Sequence, residues 1–254
     1  MNATASDVNA PANGVTVVIP VYNEEEAIGE LLTEVFAALA PVRDFEVVVV
    51  DDGSADNTPA VLARARRQHG GRLRVLRHRD RSGQSAAMRT GITAAAYPWI
   101  ATLDGDGQND PADIPPLLAA LREPANHEVA MVCGRRRRRQ DSWLKRISSR
   151  IANGVRRRLL RDDTLDTGCG LKVFRRELFL RLPWFDHMHR FLPALARREG
   201  AKVTSMDVRH RPRTRGRSKY GVHNRLWVGI VDLIGVMWLQ RRGKVVVSDE
   251  MENR

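Results

Sequence analysis

Thiol chemistry is almost absent: Cys133 and Cys169 are the two cysteines in 254 residues. They cannot build a disulfide framework, and no Cys/His pair stands at metal-site spacing, so a reduced compartment fits. A secretory leader is not expected either. Met1 to Gly14 is small and polar, with no basic n-region or apolar h-region, and predicts a flexible tail ahead of a folded part in the cytosol. There is no internal repeat, and no apolar-poor tract interrupts the middle of the chain, which excludes extended disorder there. Negative charge is the next shortage. Lys and Arg number 42 against 30 Asp and Glu, a formal charge of +12, and the excess implies an anionic partner: nucleic acid, acidic lipid or a phosphorylated substrate.

What is present is an alternation of short apolar runs and amphipathic stretches, long enough for one large α/β domain or two small ones. Val15 to Pro20 (VTVVIP) and Glu46 to Asp51 (EVVVVD) are β-branched runs without helical period, the pattern of strands buried on both faces. Glu24 to Leu39 lies between them, apolar at Ile28, Leu31, Leu32, Val35, Phe36 and Leu39, which is helical spacing. Thr58 and Pro59 read as N-cap and first-turn proline of a second helix ending at His69-Gly70-Gly71. A strand over Leu73 to Arg77, a helix over Gln84 to Ala96 and a strand over Trp99 to Leu103 follow. Asp110-Pro111 caps a helix to Leu121, and Glu128 to Cys133 is the next strand. Such alternation predicts a mostly parallel sheet with helices on both sides and ligands at the carboxyl ends of the strands.

Three polar clusters fall at those ends: PVYNEEE, DDGSADNT and LDGDGQNDP. Asp104 and Asp106 lie two apart, so both carboxylates can face one ligand on extended backbone, with Gly105 and Gly107 leaving room. Hard oxygen ligands of this kind suit Mg²⁺ or Mn²⁺ held against a diphosphate, with Gln108 as a further neutral oxygen. The same residues also read as an acidic glycine-rich turn capped by Asp110. Asp51, Asp52, Gly53 and Ser54 allow two readings: a turn, with Asp56 assisting the cap at Thr58, or a site where Asp52 accepts from a nucleobase imino group while Tyr22 packs on its face.

The positive charge is concentrated. Arg135 to Arg139 is a run of five arginines, and RHRPRTRGRSKYG is a second basic segment. No recognition-helix, RNP, KH or zinc-finger pattern accompanies them, and the acidic clusters would repel a polyanion, so nucleic acid is not expected. Leu226 to Leu239 (LWVGIVDLIGVMWL) is apolar apart from Asp232 and its glycines. As a helix it reaches only ~21 Å at 1.5 Å per residue, short of a ~30 Å hydrocarbon core. Trp227, Trp238, Arg225, Arg241, Arg242 and Lys244 fit a helix lying in a membrane interface; a core helix or a subunit contact is the alternative.

The ordered set PVYNEEE, VVVVDDGSADNT, GQSAAMRTG, LDGDGQ and RTRGRSKYG, spanning Val15 to Tyr220, resembles the family 2 glycosyltransferases of GT-A fold, and within them the dolichyl- and polyprenyl-phosphate glycosyltransferases. The resemblance implies a three-layer α/β/α sandwich with a mostly parallel central sheet over 15–220, a tail over 1–14, and a C-terminal membrane-associating helix with a basic tail over 221–254. It also implies metal-dependent, inverting transfer of a sugar from a nucleotide-diphosphate donor to a polyprenyl phosphate at the cytoplasmic membrane face, in cell-envelope glycan or lipid modification. By the same likeness Pro20, Tyr22, Glu24, Val50 and Asp52 hold the nucleoside and Arg89 lies near the donor phosphates. Asp104, Gly105 and Asp106 meet the nucleotide sugar, and Asp104, Asp106 and Gln108 the Mg²⁺ or Mn²⁺. Arg136 and Lys145, with Arg213, Arg215, Ser218 and Lys219 of the RxRGxSK pattern, would hold the acceptor phosphate. Asp104, Asp106, Arg136 and Arg215 form the expected catalytic set. Asp166 is read either at the sugar or as a turn cap, and His189 either at the acceptor phosphate or packed.

One departure stands out. Gly105 replaces the alanine often found between the aspartates of this subgroup, which is expected to relax the loop and leaves the sugar open. A lipid phosphate is already ionised near neutral pH, so no general base is required. A sugar-hydroxyl acceptor would need one, with Asp166 the candidate, and an inactive membrane-bound scaffold is the rival from another class. A homo-oligomer or a membrane-protein partner is compatible with the chain.

Overall fold

Fully buried strands form where the β-branched runs lie. In the computed structural model, which describes residues 13–123, 128–136, 154, 156, 158–160, 164, 166–212 and 222–243, β1 (Val15–Val21) and β2 (Phe45–Asp51) are buried at every position. Together with β3 (Leu73–Arg77) and β4 (Trp99–Thr102) they pair in parallel, β1 between β2 and β4. Alternate residues serve opposite faces, as strand geometry requires. Val15, Val17 and Ile19 pack with Leu31, Leu32 and Val35 of α1 (Ile28–Leu39) and Leu117 of α4 (Ile114–Arg122), whereas Val18 meets Met88 and Ile92 of α3 (Gln84–Ala94).

Two helix starts differ from the sequence reading, for one reason. Residues 22–27 do not join α1, because their backbone is bound to the loop before α2 (Thr58–His69): Asn23 N donates to Ser54 Oγ at 2.8 Å and Glu24 N to Thr58 Oγ1 at 2.9 Å. The Thr58 hydroxyl is thereby taken from its expected capping role. Asp56 acts there instead, accepting from Thr58 N at 3.0 Å. Asp110 does accept from Ala112 N at 3.0 Å, but it opens a 3₁₀ turn that precedes α4.

Of the second half of the sheet, only the strand from Glu128 to Cys133 was foreseen. Among the described residues the sheet has seven strands in the order β3-β2-β1-β4-β6-β5-β7, the last three being β5 (Val129–Arg136), β6 (Lys172–Arg175) and β7 (Lys202–Val208). β6 runs antiparallel to both neighbours, β4 and β5, and β5 extends past Cys133 because β7 pairs alongside it as far as Arg136↔Val208. Helices α5 (Arg176–Arg181) and α6 (Leu192–Arg198) fill in behind.

The C-terminal helix α7 (Val222–Arg242) contains the apolar stretch and faces two ways. Val236 is fully buried, with Leu233, Met237 and Leu239 packed on the same core as α6. Arg198 Nε donates to Leu239 O at 3.0 Å, and Asp232 Oδ2 lies 3.4 Å from His187 Nδ1, so the one acid in the stretch points at protein. On the other side Ile230, Val231 (66% exposed), Ile234 (61%) and Trp238 (59%) form an apolar stripe. Among the described residues no helix is long and apolar enough to cross a membrane.

Candidate active site

The reversal of β6 decides what gathers at the carboxyl edge. β1, β2 and β4 end there, and since Lys172 pairs with Thr102, β6 begins there. Around these ends lies a cavity of about 710 Å³ whose wall includes Pro20, Gln84, Asp104, Arg136, Asp166 and Lys172.

Asp104 forms its floor. Gln84 Nε2 donates to its Oδ1 at 2.9 Å. Burial first, and then the neighbouring charge of Asp106, push the Asp104 carboxyl up to about 6, while Lys172, Arg136 and the Gln84 hydrogen bond hold it back. Gly105, expected to loosen this loop, instead lets it lie close: a Cβ there would stand 2.6 Å from Val21 Cγ1 and 3.1 Å from Pro20 O. Gly170 is tighter still, since its Cβ would fall 2.2 Å from Asp104 Oδ2. Half-buried Asp106 accepts from Gln108 N at 3.2 Å.

The loop is braced from an unexpected quarter. Gln108 O accepts from Arg211 N at 2.9 Å, and Arg209 and Arg211 pair with Asp110, Asp113 and Glu34. The first arginines of RHRPRTRGRSKYG are thus tethers of the aspartate loop, and the chain passes residue 211 beside Gln108. Arg213, Arg215, Ser218 and Lys219, like Lys145, lie outside the described residues.

On the nucleoside side, Asp52 is engaged by its own neighbours. Oδ1 accepts from Ser82 N at 2.8 Å and lies 2.7 Å from His78 Nδ1, and Oδ2 accepts from Gly83 N at 2.8 Å. The carboxylate therefore ties down the loop that brings Arg81, Ser82 and Gly83 to the cavity. The Arg81 guanidinium lies over the Tyr22 ring, 4.4 Å from its centroid. The Val50 side chain is core, packed with Val48 and Ala87, and Glu24 is fixed through its backbone to Thr58. Arg89 is not brought to the cavity: it is exposed, 4.8 Å from the Trp184 ring centroid.

Across the floor from these loops, Arg136 at the end of β5 forms a two-pronged pair with Asp166, Nε to Oδ2 at 2.6 Å and Nη2 to Oδ1 at 2.7 Å, with side chains 12% and 10% exposed. The Arg136 backbone N–H adds a third contact to Oδ2 at 3.2 Å. His189 lies 2.7 Å from Ser85 Oγ through Nδ1. Desolvation, then the charges of Arg190, Lys172 and His187, hold its imidazole down to about 3, so it is neutral at working pH.

Two lining residues escaped sequence reasoning. Arg156 is buried and donates to Thr164 O at 2.9 Å. Lys172 is 3% exposed and donates from Nζ to Cys169 O. Its signal was available in DTGCGLK, a lysine set between a glycine turn and an apolar run.

Among the described residues no three His, Cys, Asp or Glu side chains cluster as a ready metal site. Asp104 and Asp106 supply two hard carboxylates close enough to act on each other. They fit a Mg²⁺ or Mn²⁺ ion as part of its shell, the rest being oxygen from a diphosphate and water.

Comparison with known proteins agrees with this architecture. The family model described as Glycosyl transferase family 2 matches residues 16–182. The chain is 37% identical over 235 residues to the dodecaprenyl-phosphate galacturonate synthase of Rhizobium johnstonii, covering 89% of this chain and 67% of that one. It is 34% identical over 209 residues to the undecaprenyl-phosphate 4-deoxy-4-formamido-L-arabinose transferase of Edwardsiella ictaluri, covering 82% and 63%. The chain thus spans about two thirds of the length of these curated relatives. Among solved structures, glucosyl-3-phosphoglycerate synthase from Mycobacterium tuberculosis in complex with Mn²⁺, uridine diphosphate and glucosyl-3-phosphoglycerate superposes with a TM-score of 0.65 at 18% identity, covering 89% of this chain and 79% of that one. That likeness shows a shared α/β fold of GT-A type.

Proposed function

The chain belongs to glycosyl transferase family 2, and on that premise we propose that it moves a sugar from a nucleoside diphosphate to the phosphate of a polyprenyl lipid, with Mg²⁺ or Mn²⁺, at the cytoplasmic face of a membrane. The observation that carries this reading is that one cavity is lined both by Asp104, which Asp106 neighbours closely enough to act on its charge, and by the Arg136–Asp166 fork. A divalent ion bound at the floor would neutralise charge on the leaving diphosphate. Arg136, its guanidinium plane fixed by Asp166, offers its remaining N–H groups to the acceptor phosphate. Asp166, the acid weighed as a base, is committed to Arg136, and His189, held down to about 3 and bonded to Ser85, is too weak a base to take a hydroxyl proton. An acceptor that arrives already ionised fits these two commitments better than a hydroxyl acceptor does. A single in-line displacement would invert the anomeric centre. Tyr22 and Asp52 would bound the nucleoside end, and Arg211 N donates to Gln108 O beside the aspartate loop.

The membrane part of the reading rests on the exposed stripe of Ile230, Val231, Ile234 and Trp238, with Arg241 and Arg242 at the end of the same helix. An apolar face with a tryptophan and terminal arginines suits the headgroup region of an anionic leaflet. The test is an assay of purified protein with undecaprenyl phosphate, Mn²⁺ and a panel of nucleotide sugars. A glycosyl phospholipid is the expected product; transfer only to glycan hydroxyls would overturn the acceptor assignment.

A further inference from the structure

Phosphate recognition and the aspartate floor leave the buried charge of Lys172 without a task. Lys172 lies beneath the cavity on a tightly held turn: Thr102 Oγ1 donates to Gly170 O at 2.7 Å, Gly134 N to Leu171 O at 2.9 Å, and Lys172 Nζ itself to Cys169 O. An ammonium carries three donors, and among the described residues this one uses a single carbonyl and forms no ion pair. Its charge nevertheless acts on Asp104, whose carboxylate is pressed against Gly170 in the same turn. Arg136 is already neutralised by Asp166. The floor therefore holds two carboxylates and one uncompensated ammonium.

From this juxtaposition we propose that Lys172 makes occupancy of the Asp104–Asp106 carboxylates by a divalent cation conditional on the donor's diphosphate. The inference rests on the reading of those aspartates as the metal side of a nucleotide-sugar site. With the diphosphate absent, the ammonium offsets part of the carboxylate charge and repels a second cation beside it. With the diphosphate present, the same ammonium and the divalent ion face a common anion from two sides, and each favours the other's placement. Lys172 is a positioning residue in this scheme: it sets when the metal side fills, so the donor enters together with its cation.

The experiment measures Mn²⁺ binding by electron paramagnetic resonance on full-length wild type, Lys172→Met and Lys172→Arg, alone and with each of UDP, GDP, CDP and dTDP. Wild type should bind Mn²⁺ weakly alone and at least ~10-fold more tightly with one of the diphosphates. Lys172→Met should bind Mn²⁺ alone about 10-fold more tightly than wild type and lose most of the synergy, because one repelling charge has gone. Lys172→Arg should behave as wild type. A gain in metal affinity is what a merely structural role would not produce. Unchanged Mn²⁺ affinity in a folded Lys172→Met, judged by its thermal melt, overturns the proposal and leaves the glycosyltransferase reading intact. If the methionine variant does not fold, Lys172→Gln takes its place, and wild-type Mn²⁺ binding that ignores every diphosphate is overturning by itself. If no diphosphate binds to wild type under any of these conditions, the nucleotide-sugar reading falls, and this inference with it.

Discussion

β1 and β7 run in the same direction toward the same edge of one sheet, yet all seven residues of β1 are buried, whereas in β7 only Val208 is. The difference extends to what each half carries. On the β1 side the loops are bound to each other, Asn23 to Ser54, Glu24 to Thr58, and Asp52 to Ser82 and Gly83. On the β7 side, α7 carries an exposed apolar stripe at Ile230, Val231, Ile234 and Trp238. Under the proposed function, a frame for a small polar donor and an open face for a large apolar partner would be different demands, met on the two sides of the sheet.

Substitutions can sharpen that division. The largest effect is expected at the floor: Asp106→Asn should lower transfer at least ~1000-fold without moving the melting temperature, because charge leaves the metal side at nearly constant volume. Full turnover in excess chelator would contradict the metal assignment. Next is the fork. Arg136→Ala should cut acceptor use by about 100-fold while nucleotide binding, read by calorimetry, stays as it is. Asp166→Ala should destabilise the fold by about 3 kcal/mol, since it strands a buried guanidinium. Equal losses of donor and acceptor binding in Arg136→Ala would mean that the two sides are not separate.

The division is tested from the β7 side by the pair Ile234→Asp and Trp238→Glu, which should reduce cosedimentation with anionic vesicles by about tenfold and leave nucleotide affinity unchanged. Truncation of α7 would be a poorer probe, because it removes Val236 from the core. The smallest effect concerns His189. Its folded pKa lies near 3, below the ordinary value of 6.5, so the unfolded chain binds the extra proton between those values and stability falls as pH drops through that window. His189→Gln should flatten the loss between pH 6.5 and pH 5 by about 2 kcal/mol, measured as the difference between two denaturation series.

How much of this was legible in the sequence follows the same division. VTVVIP and EVVVVD announce themselves because burial on both faces demands continuous β-branched runs. KVFR in β6 is four residues long, and its direction depends on which strands flank it, so the reversal that carries Lys172 to the cavity had no local signature. KVTSMDV in β7 is polar because it lies at an edge. Contacts such as Arg136 with Asp166, or Arg211 with Glu34, join residues far apart in the chain and cannot be read from spacing. Arg89 was different. The buried face of α3 is Ser85, Ala87, Met88, Gly91 and Ile92, and Arg89 lies just beyond the Ser85 edge of that face and is exposed, which the motif alone concealed.

The place of β3 in the strand order has a consequence for how the molecule behaves in a crowd. An outermost strand offers unpaired backbone groups to any passing chain, and half-buried Val75 and Leu76 would favour such pairing. Arg72, Arg74 and Arg77 border or occupy that strand, Arg74 anchored to Glu46 and to Ala94 O, and Arg77 to Asp51 and Ser54 O. An identical strand approaching from another copy would have to bring its own arginines against these. Part of the chain's positive charge thus opposes edge-to-edge aggregation, independently of any substrate.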